Sequence, residues 1–379
     1  MTTRRLVLLG GGHAHVHVLS RAAREPLAGV EIVLVSPFER HHYSGMVPGY
    51  LQETYAEPDL AFDLRAIASR AGARFVQAKA ERIDTASRTV EVAGERIGWD
   101  LLSVDVGSEP AGLETPGVCE HASSIRPMSR AVALRQRAEK LFSAGPDRRS
   151  SVVVVGAGAA GFEVALALER LGRSRGVPPL VTLVEAEAEV LPGFSPAVRR
   201  IAGRMLAARG IRVRAGRRVA GVEPRRVWLD DGTDEPAGLT VWLAGAAPPA
   251  LLGRSDVPKD PRGFLLVDDT LRASGGAPVF GAGDCIGLAG HPDLPKAGVY
   301  AVRESPVLDD NLRAALGGTP PRRYRPQKSY LALMNSADGR ALWRWHALSG
   351  HSRLAWRLKD RIDRAFMRRY GQGPAPACL

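Results

Sequence analysis

Short runs of consecutive apolar residues alternate along the chain with amphipathic segments of helical length, and several of these runs end in glycine. Residues 6–9 are Leu, Val, Leu and Leu, followed by three glycines at residues 10–12. Four consecutive valines at residues 152–155 lead into a second glycine turn. Such runs are typical of strands buried on both faces of a parallel sheet. The pattern therefore predicts an α/β chain whose parallel strands are connected by helices.

The first of these turns has the form of a dinucleotide-binding turn. Gly10 allows a tight turn after the strand, and Gly12 lets backbone N–H groups approach a pyrophosphate at the start of the helix predicted over residues 15–24. The third position of the fingerprint, normally Gly or Ala, holds His15. A single turn of this kind also occurs in ordinary strand–turn–helix connections, so the prediction depends on the rest of the chain.

The second predicted strand covers residues 30–35 and ends at an unusual position. An acidic residue commonly stands there and binds the ribose of the nucleotide, but this chain has Ser36 followed by Pro37. A serine hydroxyl cannot replace the two-oxygen contact of a carboxylate. We therefore predict that Glu39 or Arg40 shares the ribose contact.

The second glycine turn is complete. Gly156, Gly158 and Gly161 occupy the three fingerprint positions after the valine strand, and the next strand ends at Glu185. A carboxylate at that place accepts both ribose hydroxyls and repels a 2′-phosphate. This half of the chain is therefore predicted to bind a dinucleotide and to prefer NADH to NADPH.

Two further apolar runs correspond to each other in the two halves of the chain. Residues 100–108 contain Gly107 near their end, and residues 239–245 end at Gly245. This correspondence indicates an internal duplication of the architecture, with two dinucleotide sites in one chain.

A third strand-to-glycine element follows at residues 279–284 and has Asp284 in its turn. A carboxylate there can accept a hydrogen bond from the hydroxyl of a sugar alcohol. A helix of small residues is predicted over residues 295–313, and its positive N-terminus would face an electron-rich group.

The other segments complete the predicted architecture. Residues 41–50 are rich in Gly, Pro and aromatic residues without a period, which predicts a loop. His41 and His42 suggest a metal site, but no third ligand stands at a suitable spacing, so a loop against an aromatic ring system is favoured. The remaining predictions are helices at 60–71, 129–143 and 196–209, a linker at 145–149, a hairpin at 330–346 turning at 337–339, and a basic helix at 354–370.

Composition and charge narrow the class of protein. The 379 residues contain 45% hydrophobic residues and three cysteines, Cys119, Cys285 and Cys378, without a C-x-x-C pair. This excludes a disulfide scaffold and an adjacent dithiol centre, and it favours a reducing compartment. The net charge of +12 predicts attraction to anionic partners, or reflects coding bias toward Arg. No apolar run approaches the length of a spanning helix, so a cytoplasmic protein is predicted, with the inner membrane surface as a further location.

These elements, in this order, resemble the flavoproteins with two dinucleotide-binding domains, the pyridine nucleotide–disulfide oxidoreductase superfamily. The resemblance rests on the glycine turns at 10–15 and 156–161 and on the Gly-Ala-Gly-Asp turn, and it spans residues 4 to about 315. Within the superfamily the chain is most similar to type II NADH dehydrogenases and to the flavoprotein module fused to selenide, water dikinase. Residues 11–15, 43–50 and 356–363 carry that closer similarity.

The resemblance implies an α/β fold of two Rossmann-like domains, arranged as in glutathione reductase, that bind FAD and NAD(P), with a small C-terminal α+β extension. The FAD-binding domain would consist of residues 1–110 and 266–322, and the NAD(P)H-binding domain of residues 111–265. Residues 323–379 would form the extension. The redox cysteine pair of the disulfide branch is absent, so thiol and disulfide substrates are not expected.

The resemblance also implies roles for single residues, and no metal site. Glu163 would reach toward the nicotinamide and Lys296 toward the flavin, so these are the predicted catalytic residues. Hydride transfer itself needs positioning rather than an acid or base. The predicted cofactor-binding residues are Gly10, Gly12, His13, Ala14, Ser36, Pro37, Arg40, Ser44, Gly107, Gly156, Gly158, Gly161, Glu185, Gly245, Gly283, Asp284, Lys296, Ala297 and Val299. By position, the acceptor pocket would be lined by Tyr43, Met46, Lys296, Tyr330 and Trp345.

The leading functional prediction is an FAD enzyme that oxidises NADH and passes two electrons to a quinone or similar acceptor. In the helix at 354–370, one apolar face carries Leu354, Leu358, Ile362, Phe366 and Tyr370. This face would rest on an anionic membrane, or pack on the FAD domain or on a second copy of the chain.

Three alternatives remain open at this point. The first is a soluble flavin oxidoreductase that acts on a small selenium or sulfur compound or on a partner protein. The second is an enzyme like the sulfide:quinone reductases, which would use Cys119 and Cys285, although a structural role for both cysteines is favoured. The third is a non-catalytic flavin scaffold. Nucleic-acid binding is not predicted, because aromatic residues are not interleaved with the basic ones on a strand platform.

Overall fold

The computed structural model describes residues 3–143 and 150–371. The linker predicted at 145–149 and Cys378 lie outside the described residues. The elements up to residue 143 are β1 (Arg4–Leu9), α1 (His13–Ala22), β2 (Val30–Val35), β3 (Arg40–His42), α2 (Val47–Leu51), β4 (Ala61–Asp63), α3 (Leu64–Arg70), β5 (Arg74–Val76), β6 (Ala80–Asp84), β7 (Thr89–Val92), β8 (Glu95–Gly98), β9 (Leu101–Val104), β10 (Glu109–Pro110), α4 (Val118–His121), β11 (Ala122–Ser123) and α5 (Arg130–Phe142).

The elements from residue 150 onward complete the chain. Those of the middle part are β12 (Ser151–Val155), α6 (Ala159–Ser174), β13 (Leu180–Glu185), α7 (Pro196–Ala208), β14 (Arg212–Ala215), β15 (Val219–Glu223), β16 (Arg226–Leu229), β17 (Asp234–Pro236), β18 (Leu239–Trp242), β19 (Ala246–Ala247) and α8 (Ala250–Gly253). Those of the last part are β20 (Leu265–Val267), β21 (Val279–Gly281), β22 (Ile286–Leu288), α9 (Gly298–Gly317), β23 (Ala332–Asn335), β24 (Ala341–Trp345), β25 (Leu348–Ser352) and α10 (Arg353–Gly371). Short 3-10 helices cover Ser44–Met46, Glu57–Leu60 and Gly283–Cys285.

Two five-stranded parallel sheets form the centre of the molecule. The first has the strand order β21-β9-β1-β2-β5, and the second has the order β11-β18-β12-β13-β14. All neighbouring strands within these two sheets pair in parallel. The predicted α/β class with two Rossmann-like units is therefore confirmed.

The apolar composition of the central strands follows from their burial. In β1 the residues from Leu6 to Leu9 are fully buried, and in β12 the valines from Val152 to Val154 are fully buried. Strands covered by helices on both faces need apolar side chains on both faces, which the continuous apolar runs provide. Because the first strand of each unit lies in the middle of its sheet, the glycine turn that follows it opens at the centre of the carboxyl edge.

The structure corrects several predicted boundaries. Residues 60–71 are not one helix, because β4 pairs with β3 and only then does α3 begin. The side chain of Asp63 accepts a hydrogen bond from the Ala66 N–H (2.8 Å) and thereby caps α3. The helix predicted from residue 295 begins at Gly298, and α1 begins at His13 rather than at residue 15. The predicted hairpin is extended by a third strand, β25.

Helix α10 is partly packed and partly open. Near its C-terminus, the rings of Phe366 and Tyr43 stack with centroids 4.6 Å apart, and the hydroxyl of Tyr370 lies 3.0 Å from Nδ1 of His17. Nearer the N-terminus, Leu354, Leu358 and Ile362 are exposed. The apolar face predicted as one surface is therefore divided into a packed half and an open half. Among the described residues, no helix has the length and apolar character needed to cross a membrane.

Candidate cofactor and active site

The glycine turns of both sheets open into one cavity of about 2200 Å³. The turn after β1, the turn after β12 and the 3-10 helix after β21 all contribute to its walls. The cavity also reaches α10 and the β23–β24 hairpin. Because pockets for one small ligand are typically about 300–1000 Å³, this volume suits more than one large ligand.

The turn after β1 is shaped by close backbone contacts. Gly10 has φ +91°, a conformation that favours glycine, and its N–H donates to the Val35 carbonyl (2.8 Å). A Cβ at Gly12 would overlap the carboxyl group of Asp105. The turn therefore requires glycine at both positions, and its backbone lines the cavity.

Asp105 was not predicted as a site residue, although a carboxylate in an otherwise apolar run is a visible signal. It follows β9, and its Oδ2 accepts hydrogen bonds from the N–H groups of Ala14 (2.8 Å) and His15 (3.2 Å). These donors belong to the first turn of α1. Burial raises the pKa of the Asp105 carboxyl to about 7.

His15 replaces the third glycine or alanine by making its own hydrogen bonds. Its Nδ1 lies 2.7 Å from the Gly10 carbonyl, and its Nε2 lies 2.8 Å from the hydroxyl of Ser103 in β9. Burial lowers the pKa of His15 to about 4, so the ring is neutral at pH 7. A neutral imidazole with both nitrogens engaged joins the turn to the sheet, which explains how the turn tolerates a large side chain.

The predicted ribose contacts at the end of β2 already have protein partners. The Ser36 hydroxyl donates to the Phe38 carbonyl (3.0 Å). Arg40 forms an ion pair with Glu57 (2.7 Å), and Glu39 forms an ion pair with Arg65 (2.6 Å). Ser36, Pro37 and Arg40 nevertheless line the cavity, whereas Glu39 does not. The contact predicted for Glu39 therefore finds no support in the geometry.

The turn after β12 follows the same plan. Gly156 has φ +96° and its N–H donates to the Val184 carbonyl (2.8 Å). A Cβ at Gly161 would overlap the Gly156 carbonyl, whereas a Cβ at Gly158 would meet no protein atom within 4 Å. Gly158 therefore faces open space at the N-terminus of α6. This is the place that a pyrophosphate occupies in such turns.

Glu185 lies at the end of β13, beside the second glycine turn. Its Oε2 accepts a hydrogen bond from the Ala157 N–H (2.6 Å), and its Oε1 accepts one from the Glu187 N–H (3.0 Å). Each carboxylate oxygen has a further lone pair. The side chain is therefore oriented by the glycine turn itself, and it lines the cavity.

The third turn brings acidic groups and a cation together. The Ser108 hydroxyl donates to Asp284 Oδ2 (3.4 Å), and Arg126 lies 3.9 Å from the same oxygen. On α9, Glu304 Oε2 accepts a hydrogen bond from the Gly283 N–H (2.6 Å). Burial raises the pKa of Glu304 to about 8. Neither Arg126 nor Glu304 was predicted, because each comes from a segment distant in sequence from the turn.

Lys296 precedes α9 at the cavity wall. Its Nζ donates to the Ile286 carbonyl and lies 4.0 Å from the centroid of the Phe264 ring. Burial lowers the pKa of Lys296 from its usual range. Its ammonium group is thus held in place beside the Asp284 turn.

Glu163 lies on α6, between the second glycine turn and the C-terminal part of the chain. Its Oε1 accepts a hydrogen bond from the Asn335 N–H (2.6 Å) in β23. Burial raises the pKa of the carboxyl to about 7, and the Lys359 ammonium opposes that shift. Lys359 itself forms a buried ion pair with Asp363 (2.8 Å). These groups of α10 join Glu163 in the cavity wall.

The structure brings most of the predicted residues to the same cavity. Ala14 is an exception, because it is buried and its N–H donates to Asp105. Met46, predicted for the acceptor pocket, is a fully buried core residue and does not line the cavity. The other predicted residues that line it are Gly10, Gly12, His13, Ser44, Gly107, Gly156, Gly158, Gly161, Gly245, Gly283, Asp284, Ala297, Val299, Tyr43, Tyr330 and Trp345.

The histidines and cysteines singled out by the sequence have structural contacts. His41 packs edge-on against His13, with ring centroids 4.9 Å apart, and His42 pairs with Glu57 (2.9 Å). The Cys285 thiol is buried against the Ala282 carbonyl (3.2 Å), and burial raises its pKa to about 12. A thiol with that pKa is a poor nucleophile at pH 7. Cys119 is exposed. The structural interpretation of Cys285 is thereby supported.

Comparison with known families decides the class of this protein. The family model described as pyridine nucleotide-disulphide oxidoreductase matches residues 4–305. The chain belongs to that family. It is therefore an oxidoreductase, and the predicted superfamily is confirmed. FAD is the characteristic cofactor of the family. Both glycine turns line the cavity, and the open space at Gly158 fits a dinucleotide pyrophosphate.

Individual relatives agree with this assignment. An NADH dehydrogenase-like protein of Mycobacterium tuberculosis is 32% identical over 297 residues, which cover 74% of this chain and 72% of that protein. A type II NADH:quinone oxidoreductase of Staphylococcus aureus is 24% identical over 359 residues, covering 89% of each chain.

Solved structures show the same fold. The sulfide:quinone oxidoreductase of Aquifex aeolicus superposes with a TM-score of 0.81 at 19% identity, covering 99% of this chain and 93% of that one. NDH2 from Plasmodium falciparum in complex with NADH superposes with a TM-score of 0.80 at 14% identity, covering 97% of this chain and 99% of that one. The similarity extends through the C-terminal hairpin and α10, which the family model does not cover.

Proposed function

We propose that this protein oxidises NADH at an FAD site and passes two electrons to a quinone. The observation that carries the proposal is the continuity of the cavity, which joins both dinucleotide turns to the exposed apolar side of α10. A bound flavin supplies the acceptor of a hydride and the donor of two electrons. The relatives named as NADH dehydrogenases and NADH:quinone oxidoreductases support the same reaction.

The residues of this chain would bind and orient the reactants. Gly156, Gly158 and Gly161 expose the N-terminus of α6 to the pyrophosphate of NADH, and Glu185 would accept its ribose hydroxyls. The turn at Gly10 and Gly12, with Asp284, would hold FAD. Positioning of this kind is the main contribution to a hydride transfer.

Two ionisable residues would assist the reaction, one by stabilising negative charge and the other by holding a proton. Lys296 would place its ammonium at the end of the flavin that Ala297 and Val299 also face, where it stabilises negative charge. Glu163 has a pKa of about 7 and lies beside the Lys359–Asp363 pair. Reduction of a quinone to a quinol consumes two protons, and Glu163 would hold one of them at the end of the cavity nearest α10.

Anaerobic titration of the purified protein tests this function. NADH should bleach the flavin absorbance near about 450 nm, and a quinone added afterwards should restore it. NADPH should bleach it at a much higher concentration only. A protein that NADH does not reduce contradicts the proposal. Reoxidation by a selenium or sulfur compound, with no response to quinones, supports the soluble alternative instead.

We also infer that the open half of α10 rests on the inner surface of the cytoplasmic membrane. Leu354, Leu358 and Ile362 are spaced by four residues and are 73%, 44% and 45% exposed. Trp345 and Leu348 pair across the β24–β25 turn and are 48% and 65% exposed. Exposed arginines flank this apolar surface on α10 at positions 353, 357 and 361, as expected for contact with anionic lipid.

The apolar surface is continuous with the proposed quinone site. Ile362 and Trp345 belong to it and also line the cavity. A quinone dissolved in lipid could therefore enter without crossing bulk water. This feature favours a membrane surface over a second copy of the chain as the partner of α10.

The double variant L354D/L358D is expected to lose binding to anionic vesicles. Two carboxylates on this face oppose insertion and repel the lipid headgroups, so co-sedimentation should fall at least about tenfold. Oxidation of NADH with a water-soluble quinone should persist, because neither residue lines the cavity. The control is V213D, which places a carboxylate at an exposed valine of β14. Unchanged vesicle binding by L354D/L358D would reject the membrane role.

A further inference from the structure

The carboxyl group of Asp105 lies between two of the turns assigned to FAD. A Cβ at Gly12 would overlap this carboxyl group, and a Cβ at Gly283 would lie 2.8 Å from its Oδ1. The side chain is buried and lines the cavity. Asp105 therefore lies between the turn at residues 10–12 and the turn at residues 283–284.

The same carboxyl group accepts the backbone donors at the start of α1. Ala14 and His15 donate their N–H groups to Oδ2. In dinucleotide-binding turns the pyrophosphate lies at the N-terminus of this helix and is stabilised by its positive end. An ionised Asp105 would add a buried negative charge next to a pyrophosphate that carries two negative charges, and burial weakens the screening between them.

The groups around Asp105 do little to compensate the negative charge of an ionised Asp105. The charge of Asp284 raises the pKa of Asp105 further. Glu304 accepts a hydrogen bond from the neighbouring Gly283 N–H. Of the cations nearby, Arg126 is directed at Asp284, and the Lys296 ammonium donates to the Ile286 carbonyl. His13 and His15 are neutral at pH 7, because burial lowers the pKa of each to about 4. Cys285 is a neutral thiol, because its pKa is raised to about 12.

We propose that Asp105 must be protonated when FAD binds, and that its carboxyl O–H donates a hydrogen bond to the cofactor pyrophosphate. Uptake of FAD is then coupled to uptake of one proton. Oδ2 continues to accept from α1 while Oδ1 carries the proton, so one side chain satisfies both the helix and the phosphate. The inference rests on the assignment of this turn to FAD.

The pH dependence of FAD affinity follows from the pKa of the free site. Below pH 7 Asp105 is mostly protonated and binding needs no further proton. Above pH 7 the fraction of protein with a protonated Asp105 falls about tenfold per pH unit. The apparent Kd for FAD rises in proportion. With a pKa of about 7, the Kd for FAD should rise about 50-fold between pH 7 and pH 9.

Equilibrium dialysis of the full-length holoprotein against buffers from pH 6 to pH 9 measures this directly. D105N imitates the protonated carboxyl, because its amide oxygen can accept from α1 while its N–H₂ donates to the phosphate. Its Kd should change less than about threefold over this range, and at pH 9 it should bind FAD more tightly than the unaltered protein. Calorimetry in two buffers of different ionisation enthalpy should show uptake of about one proton at pH 8 by the unaltered protein and none by D105N.

E304Q is the matched control, because Glu304 is the other buried carboxyl near Gly283. E304Q should still show a rise in the Kd for FAD above pH 7, because its Asp105 still has to take up a proton. The proposal is overturned if the Kd of D105N for FAD rises steeply with pH, or if E304Q loses the pH dependence instead. Neither result would contradict the assignment of FAD as the cofactor. Failure of the unaltered protein to bind FAD at any pH would overturn the assignment of the cofactor as well. Thermal melts of both variants separate a binding effect from unfolding.

Discussion

Replacement of Gly158 by alanine is expected to abolish productive NADH binding and to leave the fold and the FAD content intact. A Cβ at this position meets no protein atom within 4 Å, and Gly158 has φ −64°, which alanine adopts without strain. The added methyl group would instead occupy the space where a pyrophosphate approaches the backbone. The Kd for NADH should rise at least about 100-fold, equivalent to about 2.7 kcal/mol.

Stopped-flow reduction of the flavin by NADH, read together with a thermal melt, measures both parts of this prediction. G203A is a suitable control, because Gly203 lies inside α7 and a Cβ there also meets no protein atom. Alanine in a helix interior is expected to stabilise slightly, by up to about 1 kcal/mol, without an effect on NADH. If G158A bound NADH as the unaltered protein does, the nucleotide site would have to lie elsewhere in the cavity.

Substitution of Glu185 by glutamine is expected to change the choice between the two nicotinamide nucleotides. The carboxylate repels a 2′-phosphate, and removal of a like-charge contact is worth about 2 kcal/mol or more. The ratio of kcat/KM for NADPH to that for NADH should therefore rise about 30-fold. Arg217 and Arg218 line the same cavity and would then face the phosphate.

Glutamine keeps part of the local structure. Its amide oxygen can accept from the Ala157 N–H in place of Oε2, whereas the bond from the Glu187 N–H would be lost. Steady-state assays with both nucleotides give the ratio, and E187Q is the control. Glu187 is exposed and does not line the cavity, so its substitution removes the same charge without a change in the ratio. Equal shifts in both variants would indicate a long-range charge effect and exclude recognition by Glu185.

The continuous apolar runs were sufficient to predict the parallel sheets. Strands buried on both faces need this composition whatever surrounds them, which is why β1, β12 and β13 appear where the sequence places them. The glycine turns were equally visible, since the close contacts at Gly10 and Gly156 are made by their own units. The family assignment agrees with these local patterns, because the family model spans all three glycine turns.

The partners of the charged side chains depended on tertiary structure. Asp105 contacts α1, Glu163 contacts β23, and Glu304 contacts the Gly283 turn. In each case residues that are distant in the chain come into contact only in the folded protein. A sequence period reports which face of an element is buried, but it does not report which polar group lies opposite.

The same limit explains why α10 was predicted as one apolar face and is divided in the structure. Leu354 and Phe366 follow a common helical period, yet only Phe366 meets Tyr43. Periodicity and glycine placement are properties of single segments, so the sequence alone specifies the sheets and the two nucleotide turns. Burial of these carboxyl groups, and with it the raised pKa values of Asp105, Glu163 and Glu304, arises only when the segments pack together.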